Sequence, residues 1–566
     1  MLLFRVISMC FFARASVFSH FITNFGETKQ ISHTCSAPGG PFLTQKMHQF
    51  YRKILILTTA ALSGMMSQAF AMPADSAETA PGLEYSATVN ALASSGEFAP
   101  YMIGSWNYGR TVAKNQIALD LEAHRELDLS RRFSWGAGAE VITGYSHKAS
   151  YQLYDAESQT WTSRSTGLAP IYVQQLYADI KYRGVFLTAG MKNQHSVIVS
   201  DELSSGDLVQ STNARPIPMV SVGFIDFQNI PFTKGWVQIE GRIGYGKFTD
   251  NAYLRHQYNH YNSHLATGVL YTYKRVYFRT KPTERFSATI GVQVSGQFGG
   301  TTKFYKGGKL ISTVDNPQKL KTFWQMFIPS LDNGDGFYEG SHLGSWDLRA
   351  RYRLSGGSEI AGYFSWFWED GSSMAKRNKW DGLWGVEWRN PKGSWITGAL
   401  IEYVDFRDQS GPMHWAPSDR PGATISTEAT GCDRYFNNSS FNANANYGMA
   451  IGTPFVLSPL YNRDGFPQFA QTISRGFHAA AKGHINATID WRAKVSYQAA
   501  RGNGNNSWPV TLHNTSAAVE LAWNADRLLQ GLSMGGTLAF DAGSLRGDNF
   551  GALLSVRYSG SLSLGR

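Results

Sequence analysis

The stretch from Gly344 to Leu354 constrains this chain most. Its even-numbered residues are Trp346, Leu348, Ala350, Tyr352 and Leu354, and its odd-numbered ones are Asp347, Arg349, Arg351 and Arg353. Side chains alternate across a strand, so one face is apolar and aromatic and the other is charged. Three arginines in register are unusual on the solvent face of a soluble sandwich. They suit a strand with lipid on one side and a wet barrel interior on the other.

The same period of two recurs along the chain. Ile117, Leu119, Leu121 and Ala123 alternate with Asp120, Glu122 and His124. Val237, Ile239, Ile243 and Tyr245 alternate with Gln238, Glu240 and Arg242. Ile489, Trp491, Ala493, Val495 and Tyr497 alternate with Asp490, Arg492, Lys494 and Ser496. Eighteen strands are predicted, at 84–92, 114–126, 133–145, 171–182, 185–191, 217–227, 236–248, 265–279, 286–298, 344–354, 358–367, 381–390, 395–405, 473–484, 487–498, 513–524, 533–543 and 549–558. Long connections at about 93–113, 146–170, 192–216, 299–343 and 406–472 each follow an odd-numbered strand. Short turns at one end and long loops at the other are the pattern of an outer-membrane barrel, with both termini in the periplasm. The expected fold class is all-β, a transmembrane outer-membrane barrel of about 18 antiparallel strands with long extracellular loops, over residues 84–566.

The N-terminal region reads as an address. From Met47 a basic pair, Arg52 and Lys53, precedes an apolar run from Ile54 to Leu62 and then Ala69-Phe70-Ala71. This is a secretory signal peptide over 47–71, with a mature start expected near Met72 and a short segment, 72–83, before the first strand. Residues 1–46 read as an upstream extension from a start codon called too early. Cys10 and Cys35 precede the expected cleavage, leaving Cys432 without an intrachain partner. About half of the formal charge of +10 belongs to the residues before Met72. The remaining basicity gives no case for nucleic acid, and is compatible with an acidic polysaccharide or lipopolysaccharide.

Motifs for catalysis are weak. Ser373-Met374-Ala375-Lys376 matches S-x-x-K but lacks its companions, and reads as chance. His256, His260 and His264 have metal-compatible spacing in a loop context, and read as solvated or barrel-facing side chains. Asp332, Asp335 and Glu339 miss the calcium-loop spacing and read as a turn. No cofactor, metal or enzymatic activity is expected. The loop 406–472 carries Gly411-Pro412-Met413-His414-Trp415-Ala416-Pro417-Ser418-Asp419. Flat aromatic faces with neighbouring polar groups bind sugars, so His414, Trp415 and Asp419 are glycan-binding candidates. A packed loop plugging the lumen is the alternative. Inward Arg349 and Arg351 are further candidates for anionic sugar. Arg353, Arg492 and Lys494 share their side; all five could instead pair with acids such as Asp490, Glu240 and Glu520, or with a plug.

Several segments resemble the Wzi family of capsule assembly proteins, in the form found in Bacteroides-like bacteria. They are Leu203-Ser204-Ser205-Gly206, Asn213-Ala214-Arg215-Pro216-Ile217-Pro218, Gly235-Trp236-Val237-Gln238-Ile239, His342-Leu343-Gly344-Ser345-Trp346-Asp347-Leu348, Gly411 to Pro417, and Gly547-Asp548-Asn549-Phe550-Gly551. The resemblance runs from about 84 to 558. It implies an 18-strand barrel with a lectin-like role, holding capsular or extracellular polysaccharide at the cell surface. Its partners would be that polysaccharide and outer-membrane lipid or lipopolysaccharide; the oligomeric state is left open by the sequence, with a monomer favoured. A porin or substrate-specific diffusion channel is the alternative function.

Overall fold

A computed structural model describes residues 82–328, 339–369, 373, 376, 378–393, 395–409, 434–504 and 506–563. The expected leader, residues 1–71, lies outside them. Eighteen antiparallel strands close on themselves. They are β1 (Leu83–Ser94), β2 (Gln116–Arg125), β3 (Phe133–Ser146), β4 (Ile171–Tyr182), β5 (Val185–Met191), β6 (Met219–Phe224) and β7 (Val237–Lys247). Then come β8 (Leu270–Thr280), β9 (Phe286–Phe298), β10 (Ser341–Arg353), β11 (Glu359–Trp368), β12 (Gly382–Arg389) and β13 (Gly398–Asp405). The series ends with β14 (Ser474–Asn486), β15 (Ile489–Gly502), β16 (Ser507–Asn524), β17 (Leu532–Ala542) and β18 (Asn549–Leu562). Each strand pairs with the next, and β1 pairs with β18 from Leu83↔Leu562 to Ser94↔Gly551, so the sheet has no free edge. Closure satisfies every strand's backbone partners inside lipid, where water cannot.

Every predicted strand is present. The largest delay of a strand start, from 265 to Leu270, has a structural cause. The segment 265–279 breaks near Gly268, and its first part, His264–Thr267, pairs instead with Thr301–Lys306 in a small separate sheet. Short helices α1 (Tyr101–Gly104), α2 (Asn251–Gln257) and α3 (Leu320–Phe327) lie in connections after odd-numbered strands. Among the described residues no helix is long and apolar enough to cross a membrane.

Alternation sorts two apolar sets. Ile290, Leu348, Val386, Ile401, Phe477, Val519 and Leu538 are exposed on the outer face and form the lipid belt. Trp395 and Trp491 meet at 5.6 Å near the short-turn end, while Phe364 stacks on Trp384 at 3.8 Å toward the other. These are the interfacial girdles of a barrel. The second apolar set is inside, where inward residues such as Tyr271, Tyr363, Phe367, Leu383 and Val404 join Val112, Ile198, Leu208, Val209, Phe436, Phe455 and Phe469 from the connections. Each fully buried side chain of this size contributes roughly 1.5–3 kcal/mol.

Candidate functional site

The lumen is crossed by three connections, 95–115, 192–218 and the part of the longest loop from 434 to 473. The middle one is held most completely. Its carbonyls and side chains meet inward groups from strands all around the wall. Arg242 on β7 donates to Gln194 Oε1. Arg275 on β8 donates to the His195 carbonyl at 2.9 Å, and Arg349 on β10 donates to the Ile198 carbonyl at 2.8 Å. Lys482 on β14 pairs with Glu202, and His478 Nε2 lies 2.7 Å from the Leu203 carbonyl. Gln293 Nε2 on β9 donates to both oxygens of Asp207, at 2.9 and 3.0 Å.

Two glycines set the key contacts. Tyr363, Gly385 and Glu402 sit in line on β11, β12 and β13. A Cβ at Gly385 would lie 2.2 Å from the Tyr363 ring, so only glycine lets that ring lie across β12. Its hydroxyl thereby reaches Glu402 at 2.5 Å. Glu402 also accepts from Ser204 Oγ and the Ser205 amide, each at 2.6 Å. The device repeats at Tyr277, Gly291 and Asp347, where the tyrosine donates to the carboxylate at 2.6 Å. Buried carboxylates become tolerable when several donors converge on them.

The inward cations are largely committed. Arg349 binds Glu387 at 2.5 Å besides Ile198, and Arg351 binds Glu359 and the Pro282 carbonyl, both at 2.6 Å. Arg353 joins Glu359 at 3.0 Å. Of the acids expected as partners, Glu520 takes Arg492 at 2.6 Å, Glu240 takes Arg275 at 2.9 Å, and Asp490 pairs with His484 rather than with an arginine. Lys494 differs: its ammonium lies 4.4 Å from the Trp106 ring and has no hydrogen bond or ion pair among the described residues. It lines a cavity of about 190 Å³ roofed by Met102 and Ile103, with Arg492, Glu520 and Asp201 also on its wall. Arg492 and Glu520 lie near the short-turn ends of their strands and are about one-third exposed, so the cavity faces the periplasmic end.

His414, Trp415 and Asp419 lie outside the described residues, as do Asp332 and Asp335. His264 Nε2 lies 2.7 Å from the Phe441 carbonyl, and the His260 ring packs on Tyr305 at 4.7 Å. Among the described residues no group of three His, Cys, Asp or Glu side chains is arranged to hold a metal. The sequence reasoning missed Trp106 and the role of 192–218. The signal was present in Ile198, Val199, Leu208 and Val209, apolar pairs too short for strands and placed in a loop.

No known family profile matches the chain, and no curated protein matches it. Among solved structures the fold is similar to Wzi, an outer-membrane protein involved in group 1 capsule assembly in Escherichia coli and a carbohydrate-binding β-barrel. The identity is 12%, the match covers 84% of this chain and 85% of that one, and the TM-score is 0.51. OccAB2 of Acinetobacter baumannii matches at 8% identity over 85% of this chain and 98% of its own, with a TM-score of 0.41. OprD of Pseudomonas aeruginosa matches at 9% over 88% and 100%, with a TM-score of 0.39. With its closed 18-strand wall and apolar outer belt, the chain is an outer-membrane β-barrel.

Proposed function

We propose that this protein is a non-enzymatic barrel that holds capsular or extracellular polysaccharide at the cell surface. The observation that carries this reading is the packed lumen. Segment 192–218 is tied to at least six strands and buried under an apolar core, which suits a rigid platform better than a route for solutes. The sequence segments resembling capsule assembly proteins support the choice of ligand, and so does the fold's likeness to a carbohydrate-binding barrel. The glycan-facing surface is then the set of long outer connections, with His414, Trp415 and Asp419 as the proposed contacts. Arg349 and Arg351 rank behind them, because each already donates to a carboxylate and a carbonyl.

The test is made on cells lacking the protein, comparing polysaccharide bound to cells with polysaccharide shed into the medium at constant total synthesis. A shift from bound to shed is the expected result. An unchanged ratio removes the anchoring role and leaves the diffusion channel, which reconstituted conductance would then report.

A further inference from the structure

Helix α3 lies on the outside of the barrel. Strand parity assigns Tyr245, Lys274 and Phe298 to the outer face, because they alternate in step with Ile243, Phe278 and Ile290. Those three outward side chains are covered by the helix. The Tyr245 hydroxyl donates to the Phe323 carbonyl at 2.8 Å, and the Phe323 ring packs on Tyr245 at 5.3 Å and on Phe298 at 5.0 Å. Lys274 Nζ donates to the Met326 carbonyl, near the C-terminal end of the helix where unpaired carbonyls gather. Thr322 and Met326 are buried on this inner side.

The opposite side is apolar and bare. Leu320, Trp324, Phe327 and Ile328 follow the i, i+4, i+7, i+8 spacing of one helical stripe. All four are exposed, Leu320 at 89% and Trp324 at 62%. Lys319 and Lys321 flank the stripe and are exposed too. Two facts decide what covers it. The helix sits on the face of the wall that elsewhere meets lipid, and it contacts residues near the extracellular ends of β7, β8 and β9. That is the depth of the outer-leaflet interface. Aromatic and aliphatic side chains below lysines form the pattern of a helix lying in such an interface.

We propose that α3 is an interfacial helix that binds the outer leaflet of the outer membrane. Leu320, Trp324, Phe327 and Ile328 enter the upper acyl region, and Lys319 and Lys321 meet anionic headgroup phosphates. The helix thereby also shields Lys274, a cation on the lipid side of a strand. This role goes beyond polysaccharide retention and does not depend on it.

The experiment places an environment-sensitive fluorophore at Trp324→Cys, in the full chain with its own cysteines replaced by serine, reconstituted in phosphatidylcholine–phosphatidylglycerol vesicles. Leu348→Cys on the lipid belt and Ser158→Cys, in the exposed turn that joins the paired strands Ala149–Asp155 and Thr160–Thr166 of one long connection, are the references. The expected result is quenching at 324 by doxyl-labelled lipid within about twofold of 348 and several-fold above 158. Adding Lys319→Gln and Lys321→Gln should weaken that quenching when phosphatidylglycerol is present and leave it unchanged in phosphatidylcholine alone. Should Trp324→Cys fail to fold, Leu320→Cys reports the same stripe. Quenching at 324 by aqueous iodide to the level of 158, without doxyl quenching, overturns the proposal. So does label-to-label self-quenching that rises with protein density, since a second copy would then cover the stripe.

Discussion

Replacing Glu402 by alanine should loosen the luminal platform without opening the wall. Glu402 is buried and sits mid-strand on β13, with its backbone paired on both sides. Its carboxylate receives Ser204 Oγ and the Ser205 amide from segment 192–218, and Tyr363 from the wall. A hydrogen bond to a charged acceptor contributes about 1.5–3 kcal/mol net. The two bonds that reach the crossing segment are therefore together worth about 3–6 kcal/mol. At 1.4 kcal/mol per tenfold, the population in which 196–210 has left the wall should rise by roughly two to four orders of magnitude. Amide exchange reads that ratio directly when opening is fast and reversible. Protection over 196–210 should fall by this factor while protection in β13 and β14 stays. Glu402→Gln keeps the shape and one neutral acceptor, and should lose about half as much free energy. Equal protection of 196–210 in wild type and Glu402→Ala would refute the reasoning. So would stable open conductance levels from the wild-type barrel in a planar bilayer.

Other consequences follow from the same contacts. Gly385→Ala places a methyl against the Tyr363 ring and should cost about 1–3 kcal/mol through overpacking; urea midpoints of barrel unfolding in detergent would show it. Leu348→Arg at the lipid belt should cost about 2–4 kcal/mol, while Arg349, one residue away, already faces inward; the measurement is again the unfolding midpoint. Trp415→Ala should reduce polysaccharide binding and leave the heat-modifiable mobility of the folded barrel unchanged; unchanged binding removes Trp415 from the surface. Burial lifts the Asp250 carboxyl, just before α2, to about 6. The folded loop therefore keeps a proton that the unfolded chain gives up near the ordinary carboxylate value of about 4. Its stability is greatest below that value, declines by about 2–3 kcal/mol as the pH rises to 6, and is level above. Amide exchange over 248–269, corrected for intrinsic rates, should follow this curve in wild type and not in Asp250→Asn.

The wall was legible because one rule writes it. Alternation between lipid and lumen is repeated over every strand, so Trp346, Leu348 and Tyr352 could be placed outside and Asp347 inside from their parity alone, and the structure keeps them there. The break near Gly268 was not legible, because His264 to Thr267 continues the alternation of β8 while its partner, Thr301–Lys306, lies in the following connection. The interior was half legible. Arg492 and Glu520 have one natural use inside a barrel and could be paired on paper. The crossing segment could not be seen, since its anchors come from strands far apart in sequence, such as Gln293, Glu402 and His478. Helix α3 hid in the same way: eight residues in a loop show a stripe only once the side they rest on is known.

The packed interior also bears on how the barrel is made. Phe436, Phe455 and Phe469 belong to the connection between β13 and β14, yet end among residues delivered by 95–115 and 192–218. The β13–β14 hairpin cannot enter the bilayer without carrying that connection through to the far side. Its aromatic cargo has no pocket to fill until the earlier crossings have arrived and the wall has curved around them. The last seam, β18 against β1, joins the two ends of the sheet. Biogenesis is therefore a stowage problem as much as an insertion problem.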